Sequence, residues 1–199
     1  MKKIIVCIGD SLTEGDYGIK GQRGIGNVQE KGYPYFLERM MNCEARNFGK
    51  CGYKSTNYLK YYKEGNVRLC GADAIVVLLG TNGGLDPECE VQGNSDYREL
   101  IELLRHDAPH AKIILCTPPH VTSNPEYSNC GYAERVEKAV LWVRDYAKRE
   151  GHILLDLASS SAFTAENESI MQPNDGLHFG EIGYKTLASI IAEKLNEIL

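Results

Sequence analysis

Lys3-Ile4-Ile5-Val6-Cys7-Ile8-Gly9-Asp10-Ser11-Leu12 decides how this chain is read. Residues 3–8 are mostly apolar and β-favouring, of the kind that packs well on a pleated surface. The run is continuous rather than alternating, as expected of a strand covered on both faces. Gly9 ends it, and Ser11 follows almost at once. A serine just past the C-terminal end of a strand stands where open parallel sheets bind their ligands.

The same kind of run recurs along the chain. Ile75–Leu79 ends in Gly80, Lys112–Thr117 ends in Pro118-Pro119, His152–Asp156 is another, and Glu44–Phe48 is a weaker one ending in Gly49. Amphipathic stretches lie between them. Tyr97, Leu100, Ile101 and Leu104 recur at helical spacing, as do Leu187, Ile190, Ile191, Leu195 and Ile198. Tyr132, Val136, Ala139, Val140, Val143 and Ala147 mark a helix that ends before Gly151. A further helix over 33–42 opens near Pro34, a residue suited to a first helical turn. Strands alternating with helices predict an α/β fold. We expect a three-layer α/β/α sandwich on a five-stranded parallel sheet, flavodoxin-like in strand order and with right-handed connections. Gly9, Gly49 and Gly80 would then finish on the same edge of the sheet. With no repeat, low-complexity tract or linker, the 199 residues are expected to form one domain, 1–199.

Bulk properties narrow the function classes. Net charge is −5, and no stretch of Lys and Arg is dense enough to track a phosphate backbone, so no nucleic-acid partner is expected. No apolar run approaches the roughly 20 residues that span a bilayer, so membrane insertion is not expected either. The apolar stretch after Met1-Lys2-Lys3 runs straight into Gly9-Asp10-Ser11 and reads as a core strand rather than a signal peptide. Seven cysteines are scattered singly without a Cys-x-x-Cys pair, which fits reduced thiols in a cytoplasm better than a disulfide framework or a zinc site. Oligomeric state is not legible.

The chemistry lies in four short patches: Gly9-Asp10-Ser11-Leu12, Gly52, Gly80-Thr81-Asn82, and Asp175-Gly176-Leu177-His178. A serine hydroxyl is a poor nucleophile until a base takes its proton, and an imidazole with a pKa near neutrality suits that task. His178 is the natural base. Of five histidines, His106 and His110 flank a helix end, and His152 opens a strand at the far edge. His120, after Pro118-Pro119, is the rival. Asp175 precedes His178 by three residues, so one turn can aim both side chains at one point. Asp175-Gly176 is also a plain turn signal. Asp10 reads as a structural cap of whatever turn follows Ser11.

The four patches, in this order and at strand ends, resemble the GDSL or SGNH hydrolases over nearly the whole chain, from Gly9 to about Tyr184. The resemblance implies Ser11 as nucleophile and Asp175 and His178 as the rest of a catalytic triad. It implies an oxyanion hole formed by the backbone N–H groups of Ser11 and Gly52 and the side-chain amide of Asn82. Gly49 is the competing glycine in the second patch. The chain departs from the family pattern at Gly83, where an aspartate usually follows the asparagine.

The expected activity is hydrolysis of carboxylic esters through an acyl-enzyme, with a small-molecule ester as partner and with no cofactor and no metal. The long irregular stretch Glu14–Gly32 is glycine-rich and has no apolar patch suited to a lipase lid. That favours short acyl groups, including acetyl esters of carbohydrates. A lysophospholipase or thioesterase is the alternative within the family, and transfer of the acyl group to an alcohol would use the same residues. A non-catalytic flavodoxin-like binding module is the alternative of another class. It lacks support, because no Gly-x-Gly-x-x-Gly opens a helix after a strand, and Asp156 is not followed by the lysine that a phosphoacceptor needs. The clusters Pro118-Pro119-His120 and Tyr61-Tyr62 either line a pocket or simply pack.

Overall fold

A computed structural model describes residues 2–19 and 31–199. Five parallel strands form one sheet in the order β2-β1-β3-β4-β5. They are β1 (Ile4–Gly9), β2 (Glu44–Gly49), β3 (Ala74–Leu78), β4 (Lys112–Cys116) and β5 (Ile153–Leu155). The strand order, the parallel pairing and the helices on both faces are those expected of a doubly wound α/β sandwich.

The alternation of side chains along each strand divides the core in two. Ile5, Cys7, Val76, Leu78, Ile114 and Cys116 point to one face, and Val6, Ile8, Ile75, Val77 and Leu115 point to the other. Both sets are buried, which is why the strands read as unbroken apolar runs. On the first face pack α2 (Tyr33–Met41), through Tyr33 and Leu37, and α7 (Glu181–Ile198), through Tyr184, Leu187, Ile191 and Leu195. On the second pack α3 (Ser55–Lys63), through Tyr58 and Leu59, and α4 (Gln92–Asp107), through Tyr97, Leu100, Ile101 and Leu104. The helix α5 (Ala133–Glu150) joins them through Trp142 and Val143, while its Val136 and Val140 reach the first face. It stops at Gly151, which caps it in a left-handed conformation.

The helix α3 is one element the sequence reading does not anticipate. Its apolar positions Tyr58, Leu59 and Tyr62 keep helical spacing, but tyrosine-rich stretches also favour strands. Packing against α4 decides the matter: the Tyr62 hydroxyl donates to Asp107 at 2.6 Å. Tyr61 and Tyr62 therefore pack, with Tyr61 edge-on to Tyr53 and Tyr58. Two short helices complete the set, α1 (Ser11–Glu14) and α6 (Glu168–Met171). Among the described residues no helix is long and apolar enough to cross a membrane, and the seven cysteines are all thiols.

Candidate active site

The central strand β1 delivers the serine. Gly9 is in register with Gly49 of β2 and Leu78 of β3, so the segments that follow these three strands emerge side by side. Asp10 turns the chain, its carboxylate accepting the Leu12 N–H at 3.0 Å. This is the structural role expected of it. Ser11 then opens α1, where a backbone N–H has no partner within the helix. Asp10 is fully buried, and burial pushes its carboxyl up to about 6, against the Leu12 N–H, Thr81 and the charge of His178.

The turn between α6 and α7 delivers the imidazole. Oδ1 of Asp175 accepts the backbone N–H groups of Leu177 at 3.0 Å and His178 at 2.8 Å. Oδ2 meets Nδ1 of His178 at 2.7 Å. One carboxylate thus folds the turn and orients the ring. Burial alone would raise its pKa, but the hydrogen bond and charge of His178 and the two backbone donors hold it below the usual carboxylate value. An ionised Asp175 accepts from Nδ1–H and leaves Nε2 as the acceptor. Nε2 lies 2.9 Å from Oγ of Ser11, across 167 residues of chain. Both side chains are buried.

The other histidines stand elsewhere. Nε2 of His120 faces Glu168 at 3.4 Å, and its carbonyl accepts from Gln172. Its ring helps line, with Pro119, Val121, Val140 and Phe163, a cavity of about 560 Å³ beside α5. His106 lies in the last turn of α4 and His152 packs on Tyr146, at the opposite edge of the sheet.

The second patch resolves into two glycines with different work. A Cβ on Gly49 would lie 2.0 Å from the backbone nitrogen of Glu14, so Gly49 is required where α1 packs on β2. Gly52 has φ 77° and nothing within 4 Å of where a Cβ would be. It faces open space in a conformation that glycine adopts without cost. The amide of Asn82 donates one hydrogen to the Tyr53 carbonyl at 3.1 Å, which ties it to the Gly52 turn. Its second amide hydrogen remains to be used. Gly83 has φ 75°, a conformation that glycine adopts more readily than aspartate, and the nearest side-chain carbon of Arg135 lies 3.2 Å from where its Cβ would be.

Two acidic residues beside the serine carry no such signal in the sequence. Glu14 accepts the Cys51 N–H at 2.7 Å. Asp16 places Oδ2 3.8 Å from Nε2 of His178. Their only hint is adjacency to Gly9–Leu12, since acidic residues near a helix start usually act as caps. Residues 20–30 of the stretch read as lacking a lid lie outside the described residues.

The model of the GDSL-like Lipase/Acylhydrolase family matches residues 7–186. "GDSL lipase Rv0518" of Mycobacterium tuberculosis (strain ATCC 25618 / H37Rv) is 29% identical over 126 residues, 60% of this chain and 49% of that protein. The matched stretch thus spans about half the length of that relative. Among solved structures, the lipase/acylhydrolase from Enterococcus faecalis has a TM-score of 0.73 at 21% identity, covering 98% of this chain and 96% of that one. A carbohydrate acetylesterase family member from Sinorhizobium meliloti has a TM-score of 0.70 at 21% identity, covering 98% of each chain. These two likenesses show a shared fold.

Proposed function

The chain belongs to the GDSL-like lipase/acylhydrolase family, and from that premise we propose that it hydrolyses carboxylic esters through an acyl-enzyme built on Ser11. One observation carries the reading: the buried chain of contacts Ser11 Oγ, His178 Nε2, His178 Nδ1, Asp175 Oδ2, at 2.9 and 2.7 Å. In this reading His178 takes the serine proton as Oγ attacks the ester carbonyl. It then gives that proton to the leaving alcohol. Asp175 holds the tautomer and stabilises the imidazolium. The N–H groups of Ser11 and Gly52 and the second amide hydrogen of Asn82 serve the developing oxyanion.

The substrates we propose are small esters with short acyl groups, acetylated carbohydrates among them. Among the described residues the exposed large apolar side chains Ile19, Met40, Leu141, Ile170, Ile182 and Leu199 fall on separate segments of the chain rather than in one apolar run.

The direct test is turnover of p-nitrophenyl acetate and labelling by a fluorophosphonate probe. Ser11→Ala should stay folded and lose nearly all of both; wild-type activity in that variant would remove the nucleophile. A series of p-nitrophenyl esters should peak at short chains. Maximal rates at decanoyl or longer would instead favour a lysophospholipase- or thioesterase-type acylhydrolase.

A further inference from the structure

We propose that Asp16 makes water, rather than an alcohol, the preferred acceptor of the acyl group. The inference rests on Ser11 as nucleophile and His178 as base. The Asp16 carboxylate is buried, and its Oδ2 lies 3.8 Å from Nε2 of His178, the nitrogen that faces Ser11 Oγ. That separation is too long for a direct hydrogen bond. It is the kind of gap that a single water molecule bridges.

Asp16 is held in place from several sides. Oδ1 accepts the Gly18 N–H at 2.9 Å, and Oδ2 accepts the Cys51 thiol at 3.5 Å. The Asp16 N–H donates to the Ser11 carbonyl at 3.0 Å, and the Asp16 carbonyl accepts the buried Tyr184 hydroxyl at 2.6 Å. Cys51 precedes Gly52, so Oδ2 lies near both the proposed base and the residue before the proposed oxyanion glycine.

Once Ser11 carries the acyl group, Oγ has no proton to offer Nε2. The acceptor molecule takes that place. Its oxygen bonds to the acyl carbon as its proton passes to Nε2. The tetrahedral adduct then collapses, the bond from carbon to Oγ breaks, and Nε2 returns the proton to Oγ. Water has a second O–H, which Oδ2 of Asp16 can accept. An alcohol has only one, already committed to His178, and would turn its alkyl group toward a buried carboxylate. Asp16 takes no proton in either case and acts as a positioning residue.

The experiment measures acetic acid and methyl acetate formed from p-nitrophenyl acetate in water with added methanol. Asp16→Asn keeps the size of the side chain and replaces Oδ2 with a donor or a weaker acceptor. The ratio of methanolysis to hydrolysis should rise about tenfold, as expected for losing one charge-assisted hydrogen bond. A product ratio does not depend on how much of a variant is folded. Cys51→Ala, which releases one anchor of Oδ2, should shift the ratio the same way by less. Ratios equal to wild type in both variants would overturn the role of Asp16 while leaving the esterase reading intact. Turnover that survives Ser11→Ala would overturn both.

Discussion

At the N-terminal edge of the sheet Lys3 meets Asp73 at 3.1 Å and Arg46 meets Glu44 at 2.6 Å, with all four side chains partly in water. At the C-terminal edge Asp10, Ser11, Asp16, Asp175 and His178 are all buried. The first arrangement costs little to build, and such pairs contribute about 0–1 kcal/mol. The second removes ionisable groups from water, which is unfavourable unless partners replace the water. Here they largely do: Asp175 has three donors, and His178 has a partner on each ring nitrogen. Burial of this kind, concentrated at the edge where open α/β sheets bind ligands, marks a candidate for chemistry rather than for stability.

Variants at the two edges should therefore separate activity from stability. After loss of the nucleophile itself, the largest effect is expected of Asp175→Asn. The amide can still accept a backbone N–H, but it no longer fixes the His178 tautomer, so kcat should fall about 10⁴-fold with the fold retained. A loss under about tenfold by steady-state kinetics would sever Asp175 from the proposed triad. Asn82→Ala comes next, at roughly 10²–10³ in kcat, the usual loss for one oxyanion donor. A loss under about threefold would remove Asn82 from that role.

Asp10 gives a test by pH. Its folded pKa is raised to about 6 from an ordinary 3.8. The folded state then holds the proton more tightly than the unfolded chain, so stability falls as pH rises through that window. The cost is complete above the folded pKa and amounts to at most about 3 kcal/mol. Asp10→Asn removes it. The variant's Tm relative to wild type should become more favourable from pH 4 to pH 7, and a difference independent of pH would contradict the assigned burial cost. The smallest effect belongs to the opposite edge. Lys3→Ala should leave kcat unchanged and cost under about 1 kcal/mol in chemical denaturation. A change in kcat there would erase the contrast between the edges.

Much of the fold is legible because its physics is local and periodic. The runs at Ile4–Ile8 and Ile75–Leu79 announce strands buried on both faces, and the spacing from Tyr97 to Leu104 announces a helix with one apolar side. The helix α3 is less legible, because Tyr58, Tyr61 and Tyr62 suit either conformation until α4 supplies a surface to pack on. Two glycines three residues apart look alike in sequence. Only the neighbours distinguish Gly49, pressed against α1, from Gly52, open to solvent.

From the amino-acid order alone come the α/β class, the strand order expected of it, and the short set of side chains able to attack, accept a proton or donate to an oxyanion. Those depend on hydrophobic period, on turn chemistry and on the intrinsic reactivity of serine, histidine and carboxylate. Which histidine reaches Ser11, and that Asp16 lies beside it, was decided by tertiary structure. Both are distances between segments that no local preference couples, set by the order in which strands pair and by how α7 carries the last turn back over the first strand.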